Sequence, residues 1–219
     1  MKHQRGFTVA ELIIVVVIAG VLAAIAAPNM SEFVKNNSRA TRVNTMVTAL
    51  NFARGQAVTR NSRVSLCQST GLVACDTGAG LGHFEGGWIV FTDHIPAFAG
   101  GTVGTIDTGI AGWPDEAVLR VFQPDMGNNA TMVADNTPIG LIQGLAYEGN
   151  GLGRDLNPPA GATLVSAGTV FRYCDDRGAS EARAIVISPT GGASLTRDTD
   201  GDGTDDIGGV NLVPKNTSK

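Results

Sequence analysis

Acidic residues near the C-terminus have the spacing of a cation-binding loop. Residues 198–206 read DTDGDGTDD, with carboxylates at alternate positions before a glycine. Carboxylates spaced in this way converge on one calcium ion in loops that begin D-x-D-x-D-G. The EF-hand ending is missing, because Gly209 stands where a bidentate glutamate would be. The segment therefore predicts a calcium loop with Asp206 as the closing ligand, and a solvated acidic loop is the alternative. The expected calcium ligands are Asp198, Asp200, Asp202 and Asp206.

The three cysteines are Cys67, Cys75 and Cys174, and they form no C-x-x-C pair. A zinc ribbon or a thioredoxin-like site is therefore not expected. Cys67 and Cys75 flank the short turn-rich segment QSTGLVA, which favours a disulfide between them in an exported domain. Two buried free thiols are the alternative. Cys174 is left either as a small buried hydrophobic residue or as a partner in an unassigned bridge.

Residues suited to catalysis are few. His83 and His94 are the only histidines beyond the N-terminal segment, and the chain contains no G-x-S-x-G, H-E-x-x-H or phosphate-binding G-x-x-x-x-G-K-[ST] motif. The pair Asp93-His94 follows the apolar segment GWIVFT, where a loop is expected. We predict that the protein is not an enzyme.

One carboxylate, that of Glu11, lies inside an apolar run that reaches from Phe7 to Ala27. A charged side chain costs about 2.5–3.5 kcal/mol at the centre of a bilayer, so its presence needs a reason. Lys2 and Arg5 precede the run, which is long enough to span a membrane with its positive end in the cytoplasm. A cleaved signal peptide is the alternative, but an ordinary signal has a shorter apolar region without an acid.

Composition indicates the kind of domain that follows the apolar run. The chain has 219 residues, of which 29 are glycine, well above the usual share of about 7%. This favours one domain of short strands and tight turns after the apolar run. Without Lys2, Arg5 and Glu11 the chain holds 14 basic and 19 acidic residues, a net charge of −5. Such an acidic domain argues against a general polyanion-binding surface.

Beyond Pro28 the apolar residues recur at steps of three and four, which predicts one helix from about Phe7 to about Arg60, kinked at Pro28. The stripe comprises Met30, Phe33, Val34, Ala40, Val43, Val47, Leu50, Ala53 and Ala57. The arginines of this segment lie mostly off the stripe, and we interpret them as a solvated helix face rather than a nucleic-acid contact. They are Arg39, Arg42, Arg54 and Arg60.

Seven short extended segments follow the helix, separated by glycine-rich turns such as GAGLGHFEGG and EGNGLGRDLNPPAG. They span residues 63–68, 87–92, 117–123, 140–147, 169–174, 183–188 and 193–197. The fold class expected from this order is α+β, with a long N-terminal helix packed on one or more antiparallel β-sheets.

The N-terminal residues also carry a resemblance. Gly6-Phe7-Thr8, then Glu11 and a long apolar helix, resembles the signal of type IV prepilins and type II secretion pseudopilins. The resemblance implies a type IV pilin-like fold, cleavage by prepilin peptidase after Gly6 and N-methylation of Phe7. It also implies that Glu11, with Thr8 beside it, is an assembly residue whose carboxylate pairs with the N-terminal amine of a neighbouring subunit, since buried ions persist only when paired. The alternative is a carboxyl group that is simply protonated in the bilayer.

Later segments narrow the resemblance. ARGQAVTRNSRVSLCQS, GWIVFTD and FRYCDDRGASEARAIVISPTGG are similar to the GspH/FimT subgroup of minor pilins and pseudopilins. In that subgroup Trp88 and Phe91 would be core residues, and Asp175 to Gly178 a turn. The subgroup implies one of three functions: a structural or priming subunit of a type IV pilus, a minor pseudopilin of a type II secretion system, or a DNA-binding pilin of natural transformation.

DNA binding is disfavoured by one departure from the subgroup. Its DNA-binding members share a Gly-Arg-x-Arg motif that here reads Gly191-Gly192-Ala193-Ser194, so both arginines are absent. Phosphate contacts by arginine and lysine supply most sequence-independent affinity for DNA. A substitute patch would consist of Arg172, Arg177, Arg183 and Arg197, beside the acidic tail.

These observations predict a leader (residues 1–6), a helix (7–60) and a β-rich domain (61–219) with an acidic loop at 198–206. The helix would have an assembly half at residues 7–27 and an amphipathic half at 28–60. We expect a bacterial inner-membrane protein with a periplasmic domain that later enters a pilus or pseudopilus. The expected partners are other major and minor pilins or pseudopilins, the prepilin peptidase and the membrane. No cofactor other than calcium is expected.

Overall fold

The computed structural model describes residues 8–78, 80–95, 99–127, 129–136, 140–156, 163–164, 169–178, 181–196, 206–207 and 210–211. Within a continuous helix the side chains of residues 26–29 lie outside this description, so the predicted effect of Pro28 is not part of it. The chain divides into two units, Met1–Thr41 and Arg42–Lys219. The described part of the first unit is helical. The second holds the end of the helix and all the strands.

The helix, α1, spans Val9–Arg60, close to the predicted bounds. Its C-terminal end is set by Asn61, which has a φ of 49°, the left-handed conformation that asparagine tolerates better than most residues. The backbone N–H of Asn61 donates to the carbonyl of Val58 at 3.2 Å, and that of Ser62 donates to the carbonyl of Ala57 at 3.2 Å. These are the two bonds of a Schellman motif, which satisfies carbonyls that a helix end otherwise leaves free.

The strands form two main antiparallel sheets and one small hairpin. The first sheet has the order β3-β2-β1-β6-β7-β8, the second has the order β11-β10-β9-β4-β5, and β12 pairs with β13. Their bounds are β1 Val64–Gln68, β2 Trp88–Thr92, β3 Val118–Phe122, β4 Thr131–Asn136, β5 Gly140–Leu141, β6 Gly144–Tyr147, β7 Gly153–Leu156, β8 Thr163–Leu164, β9 Thr169–Cys174, β10 Arg183–Ile187, β11 Ala193–Leu195, β12 Asp206–Ile207 and β13 Val210–Asn211. The α+β class with a long helix and antiparallel sheets is therefore confirmed.

One apolar core joins the helix to both sheets. In the first sheet Leu66 lies opposite Val90 and Leu145, and in the second Phe171 lies opposite Ala134 and Ile185. All of these residues belong to one buried cluster with the helix residues Val43, Met46, Ala49, Leu50, Ala53 and Ala57. Alanine at three of these helix positions lets a strand approach closely, while Met46 and Leu50 supply apolar area.

Several strands were not predicted from the sequence. β4 was missed altogether, and β7 lies inside the glycine-rich segment that the sequence analysis assigned to turns. The predicted strand 140–147 is two strands, β5 and β6, separated by Ile142 and Gln143. Glycine and asparagine around β7 are typical of turns, and pairing with β6 and β8 makes this segment a strand. The predictions for β1, β2, β3, β9, β10 and β11 are confirmed within two residues at each end.

Two of the four helix arginines, Arg42 and Arg54, bind other elements of the fold, which corrects their interpretation as part of a solvated face. Arg42 donates from Nη1 to the hydroxyl of Tyr173 at 2.8 Å. Arg54 donates from Nε to the carbonyl of Gly151 at 3.1 Å and from Nη2 to the carbonyl of Thr190 at 3.0 Å. Gly151 lies in the β6–β7 turn and Thr190 in the β10–β11 turn, so one guanidinium group ties the helix to a turn of each sheet.

The same two turns meet directly. A Cβ atom added to Gly191 would lie 2.3 Å from the carbonyl oxygen of Gly151, and Gly191 has a φ of 81°. Only glycine fits this approach without movement of the backbone. The contact brings together the two carbonyl acceptors that Arg54 uses.

The predicted disulfide between Cys67 and Cys75 is present and joins the end of β1 to the following loop. Cys174 is a free, half-buried thiol at the end of β9, and burial raises its pKa. The predicted roles of Trp88 and Phe91 in the core are confirmed, since both are fully buried. The predicted turn at Asp175–Gly178 is also confirmed by a bond from the Gly178 N–H to the Asp175 carbonyl.

Substitution of Arg54 tests the link between the two sheets. We expect Arg54→Ala to lower the free energy of unfolding by about 1–3 kcal/mol, because two carbonyls lose a charged donor. Urea denaturation of the full chain in detergent, monitored by circular dichroism, measures this change. Arg60→Ala is the matched control, since among the described residues Arg60 bonds to Gln56 of the same helix and to no strand or turn. Equal effects of the two substitutions would contradict the proposed link.

Candidate assembly site

The helix begins with a reciprocal pair of hydrogen bonds between Thr8 and Glu11. The Thr8 backbone N–H donates to Glu11 Oε2 at 2.9 Å, and the Glu11 N–H donates to Thr8 Oγ1 at 3.3 Å. The Thr8 hydroxyl also donates to Glu11 Oε2 at 2.9 Å. This arrangement is a capping box, in which a threonine and a glutamate three residues later satisfy the free N–H groups of a helix start.

The capping box was not recognised from the sequence, although its signal is present. Thr8-Val-Ala-Glu11 matches the T-x-x-E pattern that precedes an apolar helix. Within the described residues all the bonds to the carboxylate use Oε2, so Oε1 is left without a donor. The structure thus assigns Glu11 a local role in addition to the intersubunit role expected from the resemblance.

Apolar side chains surround the helix after the capping box. The exposed fraction of each large apolar residue from Val9 to Ile25 lies between 54% and 78%. These residues are Val9, Leu12, Ile13, Ile14, Val15, Val16, Val17, Ile18, Val21, Leu22 and Ile25. A helix that is apolar on all faces is stable only in a membrane or among other apolar surfaces.

The helix is a weak candidate for a membrane span by length and hydropathy. Among the described residues no single straight helix passes the test for a span, but Val9–Ile25 and Met30–Arg60 pass it together as a bent pair. Met30, Phe33 and Val34, which the sequence placed on a buried stripe, are more than half exposed. Ala40 is exposed as well, so the four predicted stripe positions before Val43 remain open on this chain.

Other predicted site residues lie outside the described part of the chain. These are Gly6 and Phe7 at the cleavage site, Asp198, Asp200 and Asp202 of the calcium loop, and Arg197 of the DNA patch. Asp206 begins β12, but its side chain is not described. Within the described ranges no group of three or more histidine, cysteine or acidic side chains is placed to hold a metal. Calcium binding by the acidic loop stays a prediction.

The described arginines of the DNA patch are engaged with the protein itself. Arg172 forms an ion pair with Asp135 across neighbouring strands. Arg177 pairs with Asp175 at 2.7 Å and with Glu181 at 3.6 Å. Arg183 donates from Nη1 to the carbonyl of Ala182 at 2.7 Å. Because acidic side chains already face two of these arginines, a phosphate would have to compete with them.

Two buried carboxylates hold the loop of residues 99–117: Asp93, from the Asp93-His94 pair of the sequence, and Glu116, which no sequence motif indicated. Asp93 accepts bonds from Arg63 Nη2 at 2.8 Å, from the Ser65 hydroxyl and from the Gly104 N–H at 2.9 Å. Glu116 accepts from the N–H groups of Ile95 at 2.8 Å and Asp107 at 3.0 Å. A buried carboxylate that accepts backbone N–H bonds fixes the loop it contacts.

Burial acts on the charge of both groups. It raises the pKa of Asp93 above its ordinary value of 3.8, against the opposing effect of the Arg63 guanidinium. It also raises the pKa of Glu116 above 4.5, against the backbone bonds from Asp107 and Ile95. The bonds that Asp93 and Glu116 accept from backbone N–H groups anchor the loop.

Residues 42–191 match the family described as type II transport protein GspH, and this match covers more than half of the sequence. The chain belongs to the GspH family. Its residues 1–27 also match the prokaryotic N-terminal methylation motif. The GspH family is one of structural pilins and pseudopilins.

Individual relatives of this GspH-family chain are similar over part of its length. Two curated proteins from Pseudomonas aeruginosa, each named fimbrial protein, are 41% identical over 64 residues. That alignment covers 29% of this chain and 41% of each relative, so the chain spans about two fifths of the length of the curated relatives it matches.

Two crystal structures of the type IV minor pilin FimU from Pseudomonas aeruginosa are also similar, at 17% identity. They give TM-scores of 0.48 and 0.42, with 75% and 72% of this chain and 92% of each FimU chain covered.

The raised pKa values predict how stability depends on pH. Between the ordinary pKa of a carboxyl group and its raised value, the folded chain binds more protons than the unfolded chain. The contribution of Asp93 and Glu116 to stability therefore decreases as pH rises through a window that opens near 3.8 for Asp93 and 4.5 for Glu116.

Asp93→Asn should remove the Asp93 part of this dependence. We expect the difference in unfolding free energy, wild type minus Asp93→Asn, to become smaller as pH rises from about 3 to about 7. Urea denaturation at a series of pH values measures it. Asp125→Asn, an exposed carboxylate after β3, is the control for the loss of one negative charge. A difference that grows with pH would show that the Arg63 ion pair outweighs burial.

Proposed function

We propose that this GspH-family protein is a minor pilin, a structural subunit that is incorporated into a type IV pilus or primes its assembly. The observation that carries the proposal is the exposed apolar helix from Val9 to Ile25, which starts at a carboxylate held by Thr8. The β-rich unit buries its own core and does not need this apolar surface for its stability. Helix-to-helix packing between subunits would cover the surface.

The N-terminal chemistry is part of the same proposal. Prepilin peptidase would cleave after Gly6, and Phe7 would become the methylated first residue of the mature chain. Before assembly the apolar helix would anchor the protein in the bacterial inner membrane, with the β-rich unit in the periplasm. The partners would be major and minor pilins, and a pseudopilus of a type II secretion system would use the same interactions.

Glu11 would then act at two levels. Within one chain its Oε2 closes the capping box, and Oε1 is free among the described residues to accept a bond from the N-terminal amine of a neighbouring subunit. Removing one partner of an ion pair in apolar surroundings is strongly destabilising, because the other charge stays buried and unpaired. The pairing would select neighbours in the correct axial register, because a displaced helix leaves the carboxylate unpaired.

The alternative of a DNA-binding pilin stays a prediction. Supporting it would require a basic surface, but Arg172 and Arg177 form ion pairs with acidic side chains. The Gly-Arg-x-Arg position begins at Gly191, whose backbone packs against Gly151. These contacts favour the structural subunit over the DNA receptor.

Three substitutions at the helix start test the proposal. We expect Glu11→Ala and Glu11→Gln to leave leader processing intact but to reduce recovery of the protein in sheared filaments by about tenfold or more. Glutamine can replace glutamate in a capping box, so Glu11→Gln separates the charge from the cap. Thr8→Ala, which removes one cap partner and keeps the carboxylate, should reduce recovery less.

Immunoblotting of cell and filament fractions, together with the gel shift on processing, provides both measurements. Glu32→Gln is the matched control for loss of a helix carboxylate. Wild-type assembly by Glu11→Gln would show that capping alone explains Glu11. Unchanged assembly by both Glu11 variants would overturn the assembly role.

A further inference from the structure

A groove lies beside the C-terminal end of the helix, in the β-rich unit. It has a volume of about 870 Å³ and is lined by the helix end, the end of β2 and the loop of residues 99–117. Its lining includes Arg60, Asn61, His94, Trp113, Asp115 and Glu148. Its volume is in the range of small-molecule sites. None of its lining residues belongs to the helix segment from Val9 to Ile25 that the proposed assembly function uses.

Trp113 presents an aromatic surface to this groove. The chain contains two tryptophans, and Trp88 is fully buried in the core. Trp113 is 37% exposed, and its ring lies 6.4 Å from the ring of His94, tilted by 47°. An exposed indole in a chain with only 5% aromatic residues is a candidate for ligand contact, because burying it against a partner yields a large apolar area.

The loop around Trp113 is fixed before any ligand arrives. The Asp115 carboxylate accepts a bond from the backbone N–H of Gly109 at 2.6 Å. The backbone N–H of Trp113 donates to the Ile110 carbonyl at 3.1 Å. Three residues after Trp113, the buried Glu116 anchors the loop to Ile95 and Asp107. A loop held in this way loses little conformational entropy on binding.

Charge decides what kind of ligand would fit. The lining includes two arginines, Arg60 and Arg63, and two acids, Asp115 and Glu148, so their formal charges cancel. Arg63 already pairs with Asp93 at 2.8 Å, and Glu148 pairs with Arg154 at 2.8 Å. A phosphate or a strongly basic peptide would meet no surplus of the opposite charge.

Hydrogen-bonding groups of both kinds line the groove together with the indole. Asn61, Ser62 and Asp115 supply an amide, a hydroxyl and a carboxylate, and Arg60 adds a guanidinium. Together they offer several donors and acceptors without net charge. A ligand suited to them carries many hydroxyl groups and one flat C–H face.

From these observations we propose that the groove binds a neutral saccharide, which goes beyond the proposed function as an assembly subunit. The C–H face of a pyranose ring packs on the Trp113 indole, whose π face is electron-rich. Hydroxyl groups of the sugar bond with Asn61, Asp115 and Arg60 at the rim. The activity is non-covalent binding, and it requires no residue of the segment before Arg60.

Fluorescence quenching of the full chain tests the proposal. The protein is kept in a detergent without a sugar headgroup and titrated separately with tetra-N-acetylchitotetraose, cellotetraose and maltotetraose. Because Trp88 is buried, acrylamide quenching reports mainly on Trp113. We expect at least one of these sugars to protect Trp113 from acrylamide with a Kd of about 1 mM or tighter.

Calorimetry of variants then assigns the site. Trp113→Ala should weaken binding of the same sugar by about tenfold or more, and Trp113→Phe should lose less because an aromatic face remains. Val73→Ala, an exposed apolar side chain on the disulfide loop away from the groove, is the matched control and should bind as wild type.

Three results would overturn the proposal. The first is failure of all three neutral sugars to protect Trp113 at about 10 mM, ten times the expected Kd. The second is equal binding by wild type and Trp113→Ala. The third is binding only of an anionic sugar, such as a sulfated oligosaccharide, with affinity that falls steeply with salt, which would show recognition of charge by arginines instead.

Discussion

Packing of the helix segment from Val43 to Ala57 against both sheets is the interaction on which the β-rich unit depends. Each sheet contributes one apolar face, and the helix stripe belongs to the same buried cluster as both faces. Because neither sheet could bury its face without this cluster, the helix end, the turns and the loops are all positioned by it. Arg54 completes the interaction with polar bonds, since its guanidinium reaches carbonyls in one turn of each sheet.

The first half of the same helix needs a different, apolar environment. Residues from Val9 to Ile25 expose apolar side chains on every face, and the only acid among them, Glu11, is held at the helix start by Thr8. A carboxylate at a helix N-terminus compensates free N–H groups and the positive end of the helix dipole. This local compensation explains how the charge is tolerated in one chain, and the exposed apolar surface explains why other subunits or a membrane must cover the helix.

Polar groups in the interior have a third role, which is to shape the surface. Asp93 and Glu116 are buried at the end of β2 and at the end of the loop that follows it, where they accept backbone N–H bonds. The bonds they receive oppose, but do not cancel, the desolvation that raises their pKa. The result is a long loop with a fixed path, and that path places Trp113 beside His94 at the groove.

The sequence by itself determined the elements whose signals are local. The helix followed from its apolar spacing, six strands from short apolar runs, and the disulfide from two cysteines around a short turn. The membership of the GspH family rests on the sequence as well. Tertiary structure decided the features that depend on distant partners. β7 is a strand because it pairs with β6 and β8. Arg54 is not part of a solvated face, because two turns bring their carbonyls to its guanidinium. The burial of Asp93 and Glu116 has no local sequence signal, since the N–H groups of Gly104 and Ile95 that donate to them lie 11 and 21 residues away along the chain. Spacing along a chain encodes contacts within one turn of helix or one strand, whereas contacts between elements form only when the core brings those elements together.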